Sequence, residues 1–112
     1  MENERTDFDG ISTVEELKRL VAFLRSPEGC PWDHEQTPRS LKPYLLEEVY
    51  ELLEAIDSSD PSHLCEELGD VLMHLCFQVS LAEETGSFTL PDVVAKIRDK
   101  MVRRHPHVFA GA

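Results

Sequence analysis

The sequence has little positive charge, and it carries no Lys or Arg between Lys42 and Lys96. Its 11 Lys and Arg residues stand against 22 Asp and Glu residues, which gives a formal net charge of -11. A field of this sign repels polyanions at long range. We therefore expect no nucleic acid polymer as a partner. A small anion such as a nucleotide can bind only where a metal ion or a local basic patch reverses the field.

Cysteine and long apolar runs are also scarce. The 3 cysteines form no CxxC pair, and an odd number cannot give a fully paired disulfide framework. The N-terminus is acidic, so the sequence shows no secretory signal. The most apolar stretch, residues 71–82, is interrupted by polar residues and is too short for a bilayer of about 30 Å. These absences predict a cytoplasmic protein that has no membrane partner.

The length of 112 residues fits one compact domain. Residues 1–11 are rich in acidic side chains and are expected to form a flexible N-terminus, while residues 12–112 are expected to form a single domain. Apolar residues recur at helical spacing through the domain, and strand-like alternation is absent. The pattern therefore predicts an all-α fold, a four-helix bundle.

Capping residues and prolines mark the expected helix ends. Overlapping capping boxes at residues 12–16 begin the first helix, which is expected to end near Ser26. The later helices are predicted over residues 37–57, 61–84 and 90–105. The segment 30–36, which contains the only tryptophan, shows no helical period and is predicted to be a structured loop.

The third predicted helix is apolar around almost its whole circumference. A helix of this kind must be buried on all sides, and three other helices in a chain of 112 residues would struggle to cover it. The pattern predicts that a second copy packs against this helix by two-fold symmetry. We therefore expect helices that pack across the interface of a homodimer or a higher homo-oligomer.

Paired acids lie on the second and third helices, as Glu47-Glu48-x-x-Glu51 and Glu67-x-x-Asp70. Acids three positions apart share one helical face. On the second helix alone, a solvated acidic face would explain the pattern. On the apolar third helix, carboxylates removed from water need a positive partner, and crowding raises their pKa values. Hard oxygen ligands favour Mg²⁺, with Mn²⁺ as a possible substitute.

A cluster of basic residues lies near the end of the fourth helix. Lys100, Arg103 and Arg104 are spaced so that they share a face, and they are candidates to bind phosphate oxygens. Trp32 lies in the segment predicted to be a loop. It either stacks on a nucleobase or anchors the loop against the bundle.

Four short motifs together resemble the MazG nucleotide pyrophosphohydrolase domain in their order and spacing. They are GCPWD at 29–33, EEVYE at 47–51, ELGD at 67–70 and KMVRRHPHVF at 100–109. The resemblance implies an all-α, usually dimeric enzyme that acts in housecleaning of nucleotide pools. Such an enzyme hydrolyses (deoxy)nucleoside triphosphates to monophosphate and pyrophosphate.

The resemblance also implies a role for each matching residue. Glu47 would orient or deprotonate the attacking water. The magnesium ligands would be Glu48, Glu51, Glu67 and Asp70. The phosphates would be held by Lys100, Arg103 and Arg104.

Two alternative functions stay open. Many members of the family contain two such domains, of which one copy can lack activity, and the copy that carries the CPWD motif is the N-terminal one. The chain could therefore be a catalytically silent dimerisation or regulatory nucleotide-binding domain. The other alternative is a specialised enzyme that hydrolyses dUTP, dCTP or phosphoribosyl-ATP.

Overall fold

A computed structural model describes residues 8–110, and it confirms the all-α class. Within that range the chain forms helices and no strand. The helices are α1 Val14–Leu24, α2 Pro31–Glu35, α3 Lys42–Ser58, α4 Pro61–Glu84, α5 Leu90–Arg104 and α6 Pro106–Phe109. The four long helices, α1, α3, α4 and α5, are the four that the sequence predicts. Most of the N-terminal segment expected to be flexible, residues 1–7, lies outside the described residues, as do residues 111–112.

Side-chain caps define the starts of α1, α4 and α5, which lie close to the starts that the sequence predicts. Thr13 and Glu16 form a capping box at the start of α1, in which the Thr13 hydroxyl accepts from the Glu16 N–H at 3.1 Å. The Asp60 carboxylate accepts from the Ser62 N–H at 3.0 Å and begins α4. Thr89 caps α5 in the same way as Thr13 caps α1. Each cap satisfies N–H groups that a helix start would otherwise leave unpaired.

Two predictions about the segment before α3 are wrong. Residues 31–35 form the short helix α2 instead of a loop, with Pro31 in its first turn. The helix α3 begins at Lys42 and not at residue 37, because the Thr37 hydroxyl caps a separate turn by accepting from the Ser40 N–H at 3.0 Å. Both Thr37-Pro38 and Leu41-Lys42-Pro43 are compatible with a helix start. In the structure, α3 begins at the second of these two sites.

The core forms where α4 packs against α1 and α3. Its buried members come from α1, the start of α3 and the C-terminal half of α4: Val21, Leu41, Cys76, Phe77 and Leu81. Burial of one large apolar side chain stabilises a fold by about 1.5–3 kcal/mol. The N-terminal half of α4 takes little part in this core and carries the acids instead.

The fourth long helix, α5, is tied to the other three mainly at its start. The Glu83 carboxylate, on α4, lies 2.9 Å from the Lys18 ammonium of α1 and accepts from the Leu90 N–H at 2.9 Å. Beyond this point α5 packs mainly against α6, and none of its residues is buried. Helices α1, α3 and α4 therefore pack together, whereas the closed four-helix bundle is not formed by the described part of one chain.

The apolar circumference of α4 is not fully covered within one chain. Leu68 and Leu75 are 52% and 48% exposed. A second copy could cover these two residues, but a single chain does not test this, and the packing of a second copy stays a prediction. None of the helices between residues 8 and 110 is long and apolar enough to cross a membrane.

Candidate metal and nucleotide site

Three acids converge where α3 faces α4. Glu48, Glu67 and Asp70 each offer a carboxylate oxygen, and these oxygens lie within 4.8 Å of one another. Only Ser59 and Asp60 separate the two helices, so they run antiparallel as neighbours. Oxygen ligands bound at about 2.0–2.6 Å to one cation have separations in this range. We call these three side chains the carboxylate cluster.

Two oxygens of the carboxylate cluster are buried without a partner. Among the described residues, nothing forms a hydrogen bond with Glu48 Oε2 or Glu67 Oε1. Glu67 is only 7% exposed, although it is charged in its ordinary state. A buried carboxylate oxygen without a donor is strongly unfavourable. A divalent cation with a preference for hard oxygen ligands would satisfy both atoms.

The pKa values of two cluster members are raised. Burial is the main cause for Glu48, followed by the charges of Asp70 and Glu51. Burial also dominates for Glu67, followed by the charges of Glu51 and Asp70. Both shifts disfavour the charged forms, and a bound cation would reverse them.

The other two predicted acids lie beside the carboxylate cluster. Glu51 is exposed and is not one of its three members, but its charge raises the pKa of both Glu48 and Glu67. Glu47 is also exposed, and it contributes the smallest of the charge effects on Glu48. The arrangement therefore has three converging oxygens with Glu51 and Glu47 at its margin.

Two histidines, His63 and His74, lie near the carboxylate cluster. His63 Nε2 lies 3.6 Å from Glu67 Oε2, and the positive charge of His63 lowers the pKa of Glu67. Its position four residues before Glu67 is the signal that could have identified it. His74 Nδ1 is buried, and no hydrogen-bond partner for it occurs in residues 8–110. Burial lowers the pKa of His74, while Asp70 acts in the opposite direction.

Trp32 lies against the first turns of α3. Its ring centre is 5.6 Å from that of Tyr44, with an interplanar angle of 80°, and Trp32 stays 49% exposed. Tyr44 precedes Glu47 and Glu48 by about one helical turn, or about 5.4 Å along the axis. Trp32 is thus anchored at one edge and open to solvent elsewhere, at the same end of α3 as the carboxylate cluster.

The predicted phosphate-binding residues lie elsewhere in the chain. Lys100 and Arg103 line an open groove on α5 together with Phe88 and Ile97, whereas Arg104 is exposed and does not line it. No ion pair between residues 8 and 110 joins these cations to the acids of α3 and α4. One chain therefore assembles the acids without bringing the α5 cations to them.

Comparison with known proteins identifies close relatives. A nucleoside triphosphate pyrophosphohydrolase/pyrophosphatase MazG from Thermotoga maritima is 55% identical over 95 residues, which cover 85% of this chain and 37% of the relative. The YabN protein of Bacillus subtilis is 54% identical over 93 residues, 83% of this chain and 19% of its own length. An Escherichia coli nucleoside triphosphate pyrophosphohydrolase is 48% identical over 101 residues, 89% of this chain and 38% of the relative.

The chain thus spans between about a fifth and two-fifths of these relatives. A family model described as the MazG nucleotide pyrophosphohydrolase domain matches residues 36–109, well over half of the chain. The matched range contains the carboxylate cluster and the basic end of α5. The chain belongs to the MazG nucleotide pyrophosphohydrolase domain family.

Proposed function

We propose that this protein hydrolyses (deoxy)nucleoside triphosphates to monophosphate and pyrophosphate in a magnesium-dependent reaction, as a housecleaning enzyme of nucleotide pools. The observation that carries the proposal is the carboxylate cluster with its two buried, unpartnered oxygens. The Thermotoga maritima and Escherichia coli relatives are both named nucleoside triphosphate pyrophosphohydrolases, which supports the hydrolysis part of the proposal. We also propose that residues 12–112 form its single domain.

The acids of α3 and α4 would hold the metal ion. Glu48, Glu67 and Asp70 supply converging oxygens, and the neighbouring Glu51 is the fourth proposed ligand. Mg²⁺, or Mn²⁺ in its place, would supply positive charge to neutralise phosphate oxygens. The exposed carboxylate of Glu47 is available to orient or deprotonate the attacking water.

The substrate would be held by residues outside the carboxylate cluster. Lys100, Arg103 and Arg104 would bind phosphate oxygens, because they supply concentrated positive charge in an acidic protein. The half-exposed ring of Trp32 would stack on the base. In these roles the phosphates would lie between the acids of α3 and α4 and the cations of α5.

A homodimer, or a higher homo-oligomer, would complete this arrangement. The apolar residues of α5 face solvent in one chain, with Val94 and Ile97 54% and 48% exposed, and Leu75 of α4 is similarly open. A second copy would cover these surfaces and could bring α5 cations to the acids. Light scattering after gel filtration should give about twice the chain mass of 12.8 kDa or more, and Leu75→Asp should reduce it to that of one chain. Val14→Asp, at a similarly exposed apolar position on α1, is the control.

Two alternatives differ from this proposal in whether nucleotides are hydrolysed and in which substrates are used. A silent regulatory domain, the alternative that the CPWD motif leaves open, predicts nucleotide binding or self-association without turnover. A specialised enzyme predicts turnover of dUTP, dCTP or phosphoribosyl-ATP alone. The buried, crowded acids favour a catalytic metal site over the silent domain.

The deciding experiment is product analysis with each common NTP and dNTP in the presence of Mg²⁺. Anion-exchange chromatography should show monophosphate and pyrophosphate in equal amounts. Diphosphate with orthophosphate would reject the proposed bond cleavage. Binding of nucleotide without any product would favour the silent domain instead.

A further inference from the structure

We infer that Arg25 is a positioning residue that holds Trp32 in place for nucleotide binding. The inference rests on the proposed function, because it takes Trp32 as part of the nucleotide site. Arg25 is the residue that follows α1, and it is 8% exposed despite its charge. Its guanidinium forms a two-pronged ion pair with Glu84 at the end of α4, with Nε to Oε2 at 2.7 Å and Nη2 to Oε1 at 2.9 Å.

The third nitrogen of the same guanidinium binds the α2 segment. Arg25 Nη1 donates to the backbone carbonyl oxygens of Asp33 at 2.6 Å and Gln36 at 3.0 Å. The Arg25 carbonyl oxygen in turn lies 2.7 Å from His34 Nδ1. Arg25 therefore links three helix ends, and one of its hydrogen bonds is to Asp33, the residue next to Trp32.

Apolar burial does not hold α2 in place. The helix has 5 residues and none of them is buried. An isolated helix of this length is unstable in water. Polar contacts therefore hold this segment, namely the Arg25 side-chain bonds to the carbonyl oxygens of Asp33 and Gln36 and the Cys30 N–H bond to the Leu24 carbonyl, beside the Trp32–Tyr44 contact at 5.6 Å. Arg suits this task because its planar fork binds a carboxylate and backbone carbonyls simultaneously.

The helix α1 offers a matched control for Arg25. Lys18 forms an ion pair with Glu83 at 2.9 Å, and this pair also joins α1 to α4. It makes no hydrogen bond to residues 31–36. Loss of the Lys18 pair therefore weakens the same helix contact while it leaves the α2 segment alone.

The test uses Trp32 fluorescence, which is specific because the chain contains 1 tryptophan. Arg25→Met should increase quenching of Trp32 by acrylamide. It should also weaken Mg²⁺-dependent binding of α,β-methylene ATP by about tenfold, equivalent to about 1.4 kcal/mol. In steady-state assays KM should rise by about as much, while kcat stays within about twofold, because the carboxylate cluster is untouched. Lys18→Met should change neither quenching nor affinity.

Arg25→Lys keeps the charge but loses the fork, so it should lie between the wild type and Arg25→Met in both quenching and affinity. It also serves as the test if Arg25→Met does not fold. Unchanged quenching and affinity in the folded Arg25 variants would overturn the inference. So would equal changes in Lys18→Met, because the effect would then report general loosening of α1 on α4.

The two proposals can fail separately. If the wild type binds α,β-methylene ATP but forms no product, the hydrolase proposal fails, and the fluorescence and binding measurements still decide the role of Arg25. If the wild type hydrolyses nucleotides and the Arg25 variants match it, only the positioning role fails.

Discussion

Glu48 and Glu67 approach each other across the contact of α3 with α4, and each keeps one buried oxygen without a hydrogen-bond partner among the described residues. Two buried acids in this relation oppose folding when both are charged, since burial and the charges of Glu51 and Asp70 raise the pKa values of both. The same two oxygens are available to a cation. Binding of a divalent cation is therefore expected to stabilise the contact of α3 with α4.

Millimolar Mg²⁺ should raise the melting temperature of the wild type, because the ion binds the folded state preferentially. A ligand at about 100 times its Kd stabilises a protein by about 2.7 kcal/mol, which corresponds to several degrees for a domain of this size. Glu67→Gln should abolish most of this rise and raise the melting temperature without metal. Calorimetry should show a normal rise in Glu66→Gln, whose exposed acid lies outside the cluster. No rise in the wild type would contradict the metal site.

Nucleotide hydrolysis should be impaired in Glu67→Gln and not in Glu66→Gln. Glu67→Gln keeps the side-chain shape but removes a proposed ligand charge, and kcat/KM should fall by about 100-fold or more, the scale seen when a single strong electrostatic contribution is removed. Glu66→Gln should stay within about twofold of the wild type. Equal activity in the two variants would remove Glu67 from the site.

The Arg25–Glu84 pair should contribute to stability in a pH-dependent way. A hydrogen bond from Arg25 is the main cause that lowers the pKa of Glu84. An acid whose pKa is lower in the folded state stabilises the fold above its unfolded pKa, and this contribution disappears as pH falls through its folded pKa. Glu84 is about half exposed, so the contribution is about 1 kcal/mol or less.

Urea unfolding at neutral and acid pH measures this contribution. Glu84→Gln should be less stable than the wild type near neutrality, and the difference should close in acid. A difference that persists below the range where Glu84 titrates would show that the substitution acts through packing instead of charge.

Gly29 should not accept a side chain. A Cβ at this position would overlap the carbonyl oxygens of Phe23 and Leu24, both backbone atoms at the end of α1. The Cys30 N–H also donates to the Leu24 carbonyl at 2.7 Å, which keeps the chain close to the helix end. Gly29→Ala should therefore destabilise the fold by about 1–3 kcal/mol, the usual cost of an overpacked contact.

Gly69→Ala should have the opposite effect on stability to Gly29→Ala. A Cβ there has no neighbour within 4 Å among the described residues, and Ala favours a helix interior by about 1 kcal/mol. Urea unfolding should show a gain or no change for Gly69→Ala. A loss as large as that of Gly29→Ala would contradict the open space around Gly69.

The sequence predicts the long helices well where local chemistry determines them. Thr13, Asp60 and Thr89 cap their helices because their side chains accept from N–H groups only a few residues away. The short helix α2 is not predictable from period, because 5 residues make little more than one turn. Its place depends on Arg25, which lies in a different segment.

The acids of the carboxylate cluster are likewise predictable from the sequence only in part. Helical spacing predicts that Glu67 and Asp70 share a face, and the structure brings Glu48 to them from the neighbouring helix. Spacing does not reveal which of the carboxylate oxygens are buried. The location of α5 is also not predictable, because no residue of its apolar stripe is buried by the rest of residues 8–110 and the sequence pattern does not say what covers it.

The two-residue connection between α3 and α4 also bears on how the protein folds. The proposed metal ligands lie within one stretch of chain, residues 48–70, so their encounter closes only a short loop. Short loops carry a small entropic penalty, and contacts between nearby residues form rapidly. We expect the α3–α4 hairpin to form early during refolding and to recruit its cation before α1 docks. Mg²⁺ should then accelerate folding as well as oppose unfolding.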